Sequence, residues 1–305
     1  MTRAAGVLAA LLLLVAGCSR ETHDPRAAPS PGPNPSTAPT ATANGGLDPS
    51  LAAQAQSLAA AAQAQASGMG QPLPPRAPGV VGGDVSWPQC PAGMGIPHKI
   101  STGAPMPADD AAYVMIGLTN GPGFHVNPCL ADQVAWAKER KLLVAAYSVI
   151  SWPDDATQQQ YGGLREAGFA QAQFNIASMT GAGLDPPIVW LDIEHVPFYD
   201  WSTDTAANAE VVLGAAQGYA DAGYRVGVYS TPHLWASVVG DLSLGLPEWR
   251  AAGKTSRAEA LSRCGSDWLI QGGVAALAQW VEDGRDVDIT CPGTETDLGD
   301  YFTRP

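Results

Sequence analysis

Apolar residues from position 80 onward occur in short runs separated by longer stretches of helical pattern. The runs are rich in Val, Ile, Leu and aromatic residues and are bounded by turn-forming residues, which is typical of strands. Alternation of strands with helices indicates a parallel sheet with helical crossovers. The first five strands are predicted at 80–86, 113–118, 142–149, 188–193 and 225–230.

Helical patterns fill three of the intervals between these strands. The last of them follows Asp204, a residue type that caps helix N-termini, and ends at Gly223. The three helices are predicted at 130–140, about 158–179 and 205–222.

After residue 230 the pattern becomes irregular. Three more strands are predicted at 247–251, 274–280 and 286–290, but the sequence between them leaves little room for full helices. We therefore predict an α/β fold, a modified TIM-type β/α barrel with an irregular, helix-poor last third. An open doubly wound sheet is the alternative, because alternation alone does not close a barrel.

The first residues have the pattern of an export signal, with Arg3, an apolar run at 7–16 and small residues before Cys18. A run of roughly ten apolar residues is too short for a hydrocarbon core that needs about 20, so residues 1–18 are predicted to be a cleaved signal peptide. Val15-Ala16-Gly17-Cys18 resembles the bacterial lipobox, which predicts an extracytoplasmic protein anchored to the membrane by lipid on Cys18. The alternative is an ordinary secretory signal in which the cysteine is incidental.

Residues 19–79 are predicted to be a disordered tether. The first half is rich in Pro, Ala, Ser and Thr, a composition that buries too little apolar surface to offset ordering. The Ala- and Gln-rich segment 51–66 has helical propensity but no apolar face of useful width, so it is interpreted as part of the spacer. The folded domain is predicted to span 80–305.

The net charge and the absence of nucleotide-binding motifs restrict the classes of partner that the chain is expected to bind. A net charge of −13 argues against nucleic acid and against anionic membrane surfaces. No G-x-G-x-x-G follows the first strand and no Walker-type loop is present, so nucleotide binding is not expected. No cofactor is predicted.

Four cysteines remain in the exported domain besides Cys18. An even number in an oxidising compartment predicts two disulfides, and four cysteines allow three pairings. Cys90–Cys129 with Cys264–Cys291 is favoured, because the first two each follow consecutive predicted strands. A zinc site is the alternative, but no CxxC spacing or paired histidines support it, so no metal is predicted.

Two carboxylates, Asp192 and Glu194, end the apolar strand that begins at Pro187. Alternation along a strand places both on one side, and the carboxyl end of a barrel strand is where such enzymes carry out chemistry. Repulsion and burial raise one pKa of such a pair and leave a proton available for general acid catalysis, which suits glycosidic bond cleavage. The alternative is that these acids cap the next helix or pair with an arginine.

Two further acids lie on other predicted strands. Asp84 ends the first strand and Asp288 lies on the last. Closing the barrel would bring the first, fourth and last strands to one mouth. This convergence favours a catalytic role over capping for Asp192 and Glu194.

Short segments across residues 80–302 occur in the order and spacing of a known family. They are Gly83-Asp84-Val85-Ser86-Trp87-Pro88-Gln89-Cys90, Leu191-Asp192-Ile193-Glu194, Gly227-Val228-Tyr229-Ser230, Leu277-Ala278-Gln279-Trp280 and Val287-Asp288-Ile289. These segments resemble motifs of the glycoside hydrolase family 25 muramidases, the Chalaropsis-type lysozymes, and particularly of its actinobacterial lipoprotein branch.

The resemblance implies a modified β/α barrel that hydrolyses the β-1,4 bond between N-acetylmuramic acid and N-acetylglucosamine. Glu194 would be the general acid/base, and Asp192 would stabilise the charged intermediate or orient the substrate N-acetyl group. Asp84 and Asp288 would complete the acidic cluster. Peptidoglycan or another cell-wall glycan is therefore the expected partner.

Aromatic residues near predicted strand ends are candidate sugar platforms, because flat apolar faces pack on pyranose rings. Trp87, Trp152, Tyr229 and Trp280 are predicted to bind substrate together with Gln279. Two alternatives to a muramidase remain at this point: a catalytically silent barrel that binds wall glycan, and a glycosidase that acts on another polysaccharide.

Overall fold

The computed structural model describes residues 49–66, 73–74 and 76–305. In chain order the strands are β1 (Val81–Val85), β2 (Gly95–Ile96), β3 (Lys99–Ile100), β4 (Tyr113–Gly117), β5 (Leu143–Val149), β6 (Ile188–Asp192), β7 (Arg225–Ser230), β8 (Glu248–Ala251), β9 (Ala275–Glu282) and β10 (Arg285–Thr290). The helices are α1 (Pro49–Ala66), α2 (Leu130–Glu139), α3 (Asp155–Tyr161), α4 (Leu164–Gly181), α5 (Thr205–Asp221), α6 (Pro232–Val239) and α7 (Arg257–Ser262).

Eight strands form a closed barrel in the order β1-β10-β9-β8-β7-β6-β5-β4, which confirms the predicted barrel over the open sheet. Neighbouring strands are parallel except where β10 lies antiparallel to β9 and β1. The reversal follows from a two-residue turn at Asp283 and Gly284, whose φ angles are +51° and +73°. A two-residue turn can join only antiparallel strands, so the barrel closes with a hairpin instead of a crossover.

The last third of the barrel is helix-poor, as predicted, because α7 has only six residues and no helix lies between β9 and β10. The helix predicted at about 158–179 is interrupted. Gly162 and Gly163 have φ angles of +97° and +151°, which end α3 before α4 begins.

Alternation along the strands separates the barrel interior from the layer beneath the helices. In β6, Ile188 and Trp190 belong to the interior cluster, whereas Val189 and Leu191 belong to the outer layer. The Phe302 ring, 4.4 Å from that of Tyr113, lies in the interior cluster near the amino ends of the strands. Polar side chains on the interior face are thereby left at the opposite, carboxyl end.

Helix α1 differs from the predicted tether. Leu51, Ala55 and Leu58 are buried in the main hydrophobic core, and the helix contacts α5 and β7. Their spacing of four and three residues places them on one narrow stripe, which is sufficient because the facing surface is already apolar. The prediction of a disordered spacer is therefore wrong for this helix.

The predicted signal peptide, Cys18 and the Pro-rich half of the tether lie outside the described residues. Within residues 49–66 and 76–305, no helix is long and apolar enough to cross a membrane.

Candidate active site

A cavity of about 450 Å³ opens at the carboxyl ends of the parallel strands. Four carboxyl groups line it, which come from three strands and the segment after β6: Asp84, Asp192, Glu194 and Asp286. The structure thus brings together three of the four predicted acids and adds one that the sequence interpretation did not select.

Asp84 lies at the base of the cavity and is buried. Gln279 Nε2 donates to its Oδ2 at 2.7 Å, and the Tyr147 hydroxyl lies 3.5 Å from its Oδ1. Tyr229 in turn donates to Gln279 Oε1 at 2.8 Å, which fixes the amide orientation. Burial, followed by the charge of Asp286, raises the pKa of Asp84 to about 8, so this carboxyl group is largely protonated at neutral pH.

Asp192 and Glu194 lie at and just beyond the end of β6. Asp192 is buried, and its Oδ1 has no hydrogen-bond partner among the described residues. Burial first, and then the charges of Glu194 and Asp84, raise its pKa well above the usual range. An unpartnered carboxyl oxygen next to a cavity is available to a ligand.

Glu194 is partly exposed to the cavity. Burial raises its pKa, the Lys99 ammonium opposes that rise, and Asp286 adds to it. The Trp201 indole donates to the Glu194 backbone carbonyl at 3.0 Å, and the Ser230 hydroxyl donates to the Ile193 carbonyl at 2.7 Å. These two bonds hold the backbone that presents the carboxyl group.

Asp288, predicted to be catalytic, does not line the cavity. It is fully buried, and Trp249 Nε1 donates to its Oδ1 at 2.7 Å. The sequence interpretation missed Asp286, which has the cavity position. Because β10 runs away from the mouth of the barrel, Asp286 lies nearer the cavity than Asp288 does. The turn residues Asp283 and Gly284 are typical of a hairpin and would have indicated this strand direction.

Burial dominates the rise in the pKa of both Asp286 and Asp288, and the charge of Asp84 adds to that of Asp288. Asp288 therefore lies beneath the site as a buried neighbour of Asp84, and Asp286 faces the cavity.

Only part of the predicted aromatic set is at the site. Trp87, Tyr229 and Gln279 line the cavity. Trp152 packs against the outer hydrophobic core, and Trp280 is buried in the cluster that contains Cys291. Strand alternation explains why Trp280 is not at the site: Gln279 points into the barrel, so the next residue, Trp280, points outward.

Two aromatic residues of the cavity were not predicted. Trp249 and Tyr147 line it, and their rings meet edge to face at 5.5 Å. Trp249 also packs against Tyr229 at 4.4 Å. Trp249 pairs with Leu277 of β9, and this register places the Trp249 side chain inside the barrel. The sequence of β8 alone does not reveal which residue of β9 lies beside Trp249.

The loop after β1 carries Trp87 and is held by cross-links. The structure contains both predicted disulfides, Cys90–Cys129 and Cys264–Cys291, and the first ties this loop to the start of α2. Gln133 Nε2 donates to the Ser86 carbonyl at 2.7 Å. The Trp87 ring is therefore presented from a fixed backbone.

Glycine at position 117 permits the close approach of Asp84 and Tyr147. A Cβ atom at Gly117 would lie 2.5 Å from Ser86 Cβ and 2.7 Å from Tyr147 Cζ. Ser86 Cβ is attached to the backbone two residues after Asp84, so a larger residue at position 117 would displace the end of β1.

The residues described by the structure include no group of three or more His, Cys, Asp or Glu side chains arranged to hold a metal ion. Carboxyl groups are the ionisable acids that line the cavity. Burial raises the pKa of each of them, that of Asp84 to about 8, which favours the protonated form and so provides proton donors at the site.

Protonated and ionised carboxyl groups facing one cleft at the carboxyl end of a β/α barrel are an arrangement typical of glycoside hydrolases. No protein-family model matches the chain. The muramidase from Acremonium alcalophilum aligns with 72% of this chain and 99% of its own length, at 18% identity and a TM-score of 0.50. A family GH25 lysozyme from Aspergillus fumigatus aligns with 73% of this chain and 99% of its own, at 19% identity and a TM-score of 0.48.

A curated relative, probable GH family 25 lysozyme 4 from Dictyostelium discoideum, is 33% identical over 75 residues. The match covers 24% of this chain and 34% of the relative, so the chain spans about a third of the length of this relative. The structural likeness to the Acremonium muramidase shows that the domain shares its barrel fold.

Proposed function

We propose that the domain is a muramidase-type glycoside hydrolase that cleaves the β-1,4 bond between N-acetylmuramic acid and N-acetylglucosamine in peptidoglycan. The observation that carries this proposal is the pair Asp192 and Glu194, which open side by side into the 450 Å³ cavity at the end of β6. The names of the relatives, a muramidase and a probable lysozyme, support the same substrate class.

Glu194 acts as the general acid in this proposal. Burial raises its pKa, which favours the protonated form that a general acid needs, and its partial exposure lets it reach the glycosidic oxygen. After the bond breaks, the same group removes a proton from the attacking water.

Asp192 orients the substrate N-acetyl group, whose carbonyl oxygen supports the positive charge that develops on the sugar. The Asp192 Oδ1 lacks a partner among the described residues and is available to accept a hydrogen bond from the N-acetyl N–H of the substrate. Asp84 and Asp286 complete the polar floor and wall, and Trp87 provides a face for a pyranose ring.

The proposal also includes export and lipid anchoring through Cys18. Two disulfides fit an oxidising compartment outside the cytoplasm. Mass spectrometry of the mature protein should find a diacyl- or triacyl-modified Cys18 at the N-terminus, and Cys18→Ala should prevent lipid attachment. An unmodified mature N-terminus beyond residue 18 would leave a secreted, unanchored protein.

Release of reducing ends from purified peptidoglycan tests the enzymatic activity. The assay uses the soluble chain from Ser19 onward, which retains α1, beside Glu194→Gln and the exposed-site control Glu139→Gln. We expect release by the wild type and the control and none by Glu194→Gln.

A folded wild-type domain that sediments with peptidoglycan without releasing reducing ends would favour the silent binding barrel. If the wild type released reducing ends from another polysaccharide and not from peptidoglycan, the result would favour a glycosidase with a different substrate.

A further inference from the structure

Lys99 brings one positive charge into a cavity whose other charged groups are acidic. It lies on β3, in the small β2–β3 hairpin after β1, and lines the cavity with Asp84, Asp192, Glu194 and Asp286. Among the lining residues described by the structure, it is the only cation.

The Lys99 ammonium lies over the face of the Trp87 ring. None of the residues in the described part of the chain forms an ion pair or hydrogen bond with Nζ, which lies 5.7 Å from the centre of the Trp87 ring. A lysine at a protein surface is usually free to extend into solvent, whereas this side chain is partly buried beside the cavity. Its N–H donors are therefore left for water or for a ligand in the cavity.

The backbone of the hairpin fixes the position of Lys99. Asn120 accepts from the Ile96 N–H at 2.9 Å and donates to the Lys99 carbonyl at 3.1 Å. At Gly121, a Cβ atom would lie 3.0 Å from Lys99 Cγ, so the lysine stem passes directly over this glycine.

The turn of the hairpin is also supported. His98 stacks on Phe198 with ring centroids 4.3 Å apart, and the Tyr199 hydroxyl donates to the Pro97 carbonyl at 3.4 Å. The hairpin thus spans from the β1 loop to the segment after Glu194 and holds Lys99 at the rim of the cleft.

The chemistry of this position matches a carboxylate on a sugar. The carboxyl groups of the walls disfavour an anion wherever they are ionised, so an anionic group is best accommodated beside the cation. Because Lys99 is close enough to Glu194 to influence its pKa, the anion should belong to a sugar ring adjoining the cleaved bond. The Trp87 face beside the ammonium suits such a ring.

We propose that Lys99 binds the free lactyl carboxylate of N-acetylmuramic acid and makes the site selective for glycan strands from which the stem peptides have been removed. This inference rests on the proposed muramidase function. In intact peptidoglycan the lactyl carboxyl group is tied up as an amide to the stem peptide. Hydrolysis of that amide, an amidase reaction, must therefore supply the preferred substrate.

The test compares kcat/KM on three forms of one glycan strand: the free lactyl carboxylate, its neutral carboxamide, and the form that carries stem peptides. The variants are Lys99→Met, Lys99→Arg and Lys141→Met, in which the control lysine lies near the amino ends of the strands. Charged hydrogen bonds are about twice as strong as neutral ones, so we expect the wild type and Lys141→Met to prefer the carboxylate over the carboxamide about tenfold.

Lys99→Met should bring the carboxylate-to-carboxamide ratio close to one, and Lys99→Arg should retain most of the preference. A wild type that cleaves all three forms equally would overturn the inference and leave the muramidase function intact. Parallel loss on all three substrates in Lys99→Met would also overturn it, because Lys99 would then act through Glu194. No cleavage of any form by the folded wild type would overturn the proposed function and this inference with it.

Discussion

The buried carboxyl group of Glu248 and the carboxyl groups at the mouth of the barrel differ in how many hydrogen-bond donors surround them. Glu248 on β8 is fully buried and saturated with donors: Arg250 binds its Oε2 at 2.7 Å, and the backbone N–H groups of Ile270, Gln271 and Gly273 donate to it at 2.9–3.1 Å. Arg250 in turn donates to the carbonyls of Arg263 and Gly265.

The carboxyl groups at the mouth have few donors. Asp192 Oδ1 has no partner among the described residues, and Asp84 depends mainly on one amide. Burial without compensation raises the pKa of each of these groups. The difference shows that hydrogen bonds are supplied where a buried charge holds loops together and are missing where a substrate would provide them.

Replacing the acid at the mouth should change activity without changing stability. Glu194→Gln should lower kcat on peptidoglycan by about 10²–10⁴-fold, because proton donation is lost. The free energy of unfolding should stay equal or rise, since a poorly compensated buried carboxyl group is removed. Paired kcat measurements and urea titrations test this, and a clear loss of stability would contradict the comparison.

Replacing the saturated carboxylate should have the reverse effect. Glu248→Gln should lower the free energy of unfolding by about 3–5 kcal/mol, because Arg250 is left as an uncompensated buried charge. The double variant Glu248→Gln, Arg250→Met should recover part of that loss. Chemical denaturation measures both, and a loss below about 1 kcal/mol in the single variant would show that the network is unimportant.

The mouth carboxyl groups should make stability depend on pH. The pKa of Asp84 is about 8 in the folded protein against 3.8 for a free aspartate side chain, so the folded state binds the proton more tightly. The stabilisation is complete below about pH 4 and is lost as the pH rises toward 8, with a slope of about 1.4 kcal/mol per pH unit for one such group.

Asp84→Asn should make this slope shallower, whereas the exposed-site control Asp132→Asn should leave it unchanged. Urea titrations at pH 4, 6 and 8 measure the slope. An identical slope in Asp84→Asn and the wild type would remove Asp84 as its origin.

The smallest expected effect is a difference in KM between variants of Trp87 and Trp152, which were both predicted from the sequence to bind substrate. Trp87→Ala should raise KM about tenfold by removing a sugar-stacking face, on the order of 1 kcal/mol. Trp152→Ala, at a position packed against the outer core, should lower stability and leave KM unchanged. Equal KM changes in the two variants would contradict the assignment of the cavity wall.

Much of the fold could be predicted because strands and helices have local signatures. The runs at Tyr113–Gly117 and Ile188–Asp192 are apolar throughout, as buried parallel strands require. Asp84, Asp192 and Glu194 were recognised because strand ends in a barrel share one mouth. Trp249 and Lys99 could not be recognised in this way. The position of Trp249 depends on its pairing with the neighbouring strand, and that of Lys99 depends on how the β2–β3 hairpin packs beside the cavity.

The sequence by itself determined the β/α alternation and the acids at the ends of β1 and β6, and it favoured the cysteine pairing that the structure contains. Only the tertiary structure decided that Asp286 instead of Asp288 faces the cavity, that Trp280 points outward, and that α1 packs onto the barrel. The physical reason is range: local propensity and alternation act over a few residues, whereas strand direction, register and docking depend on partners far apart in the chain.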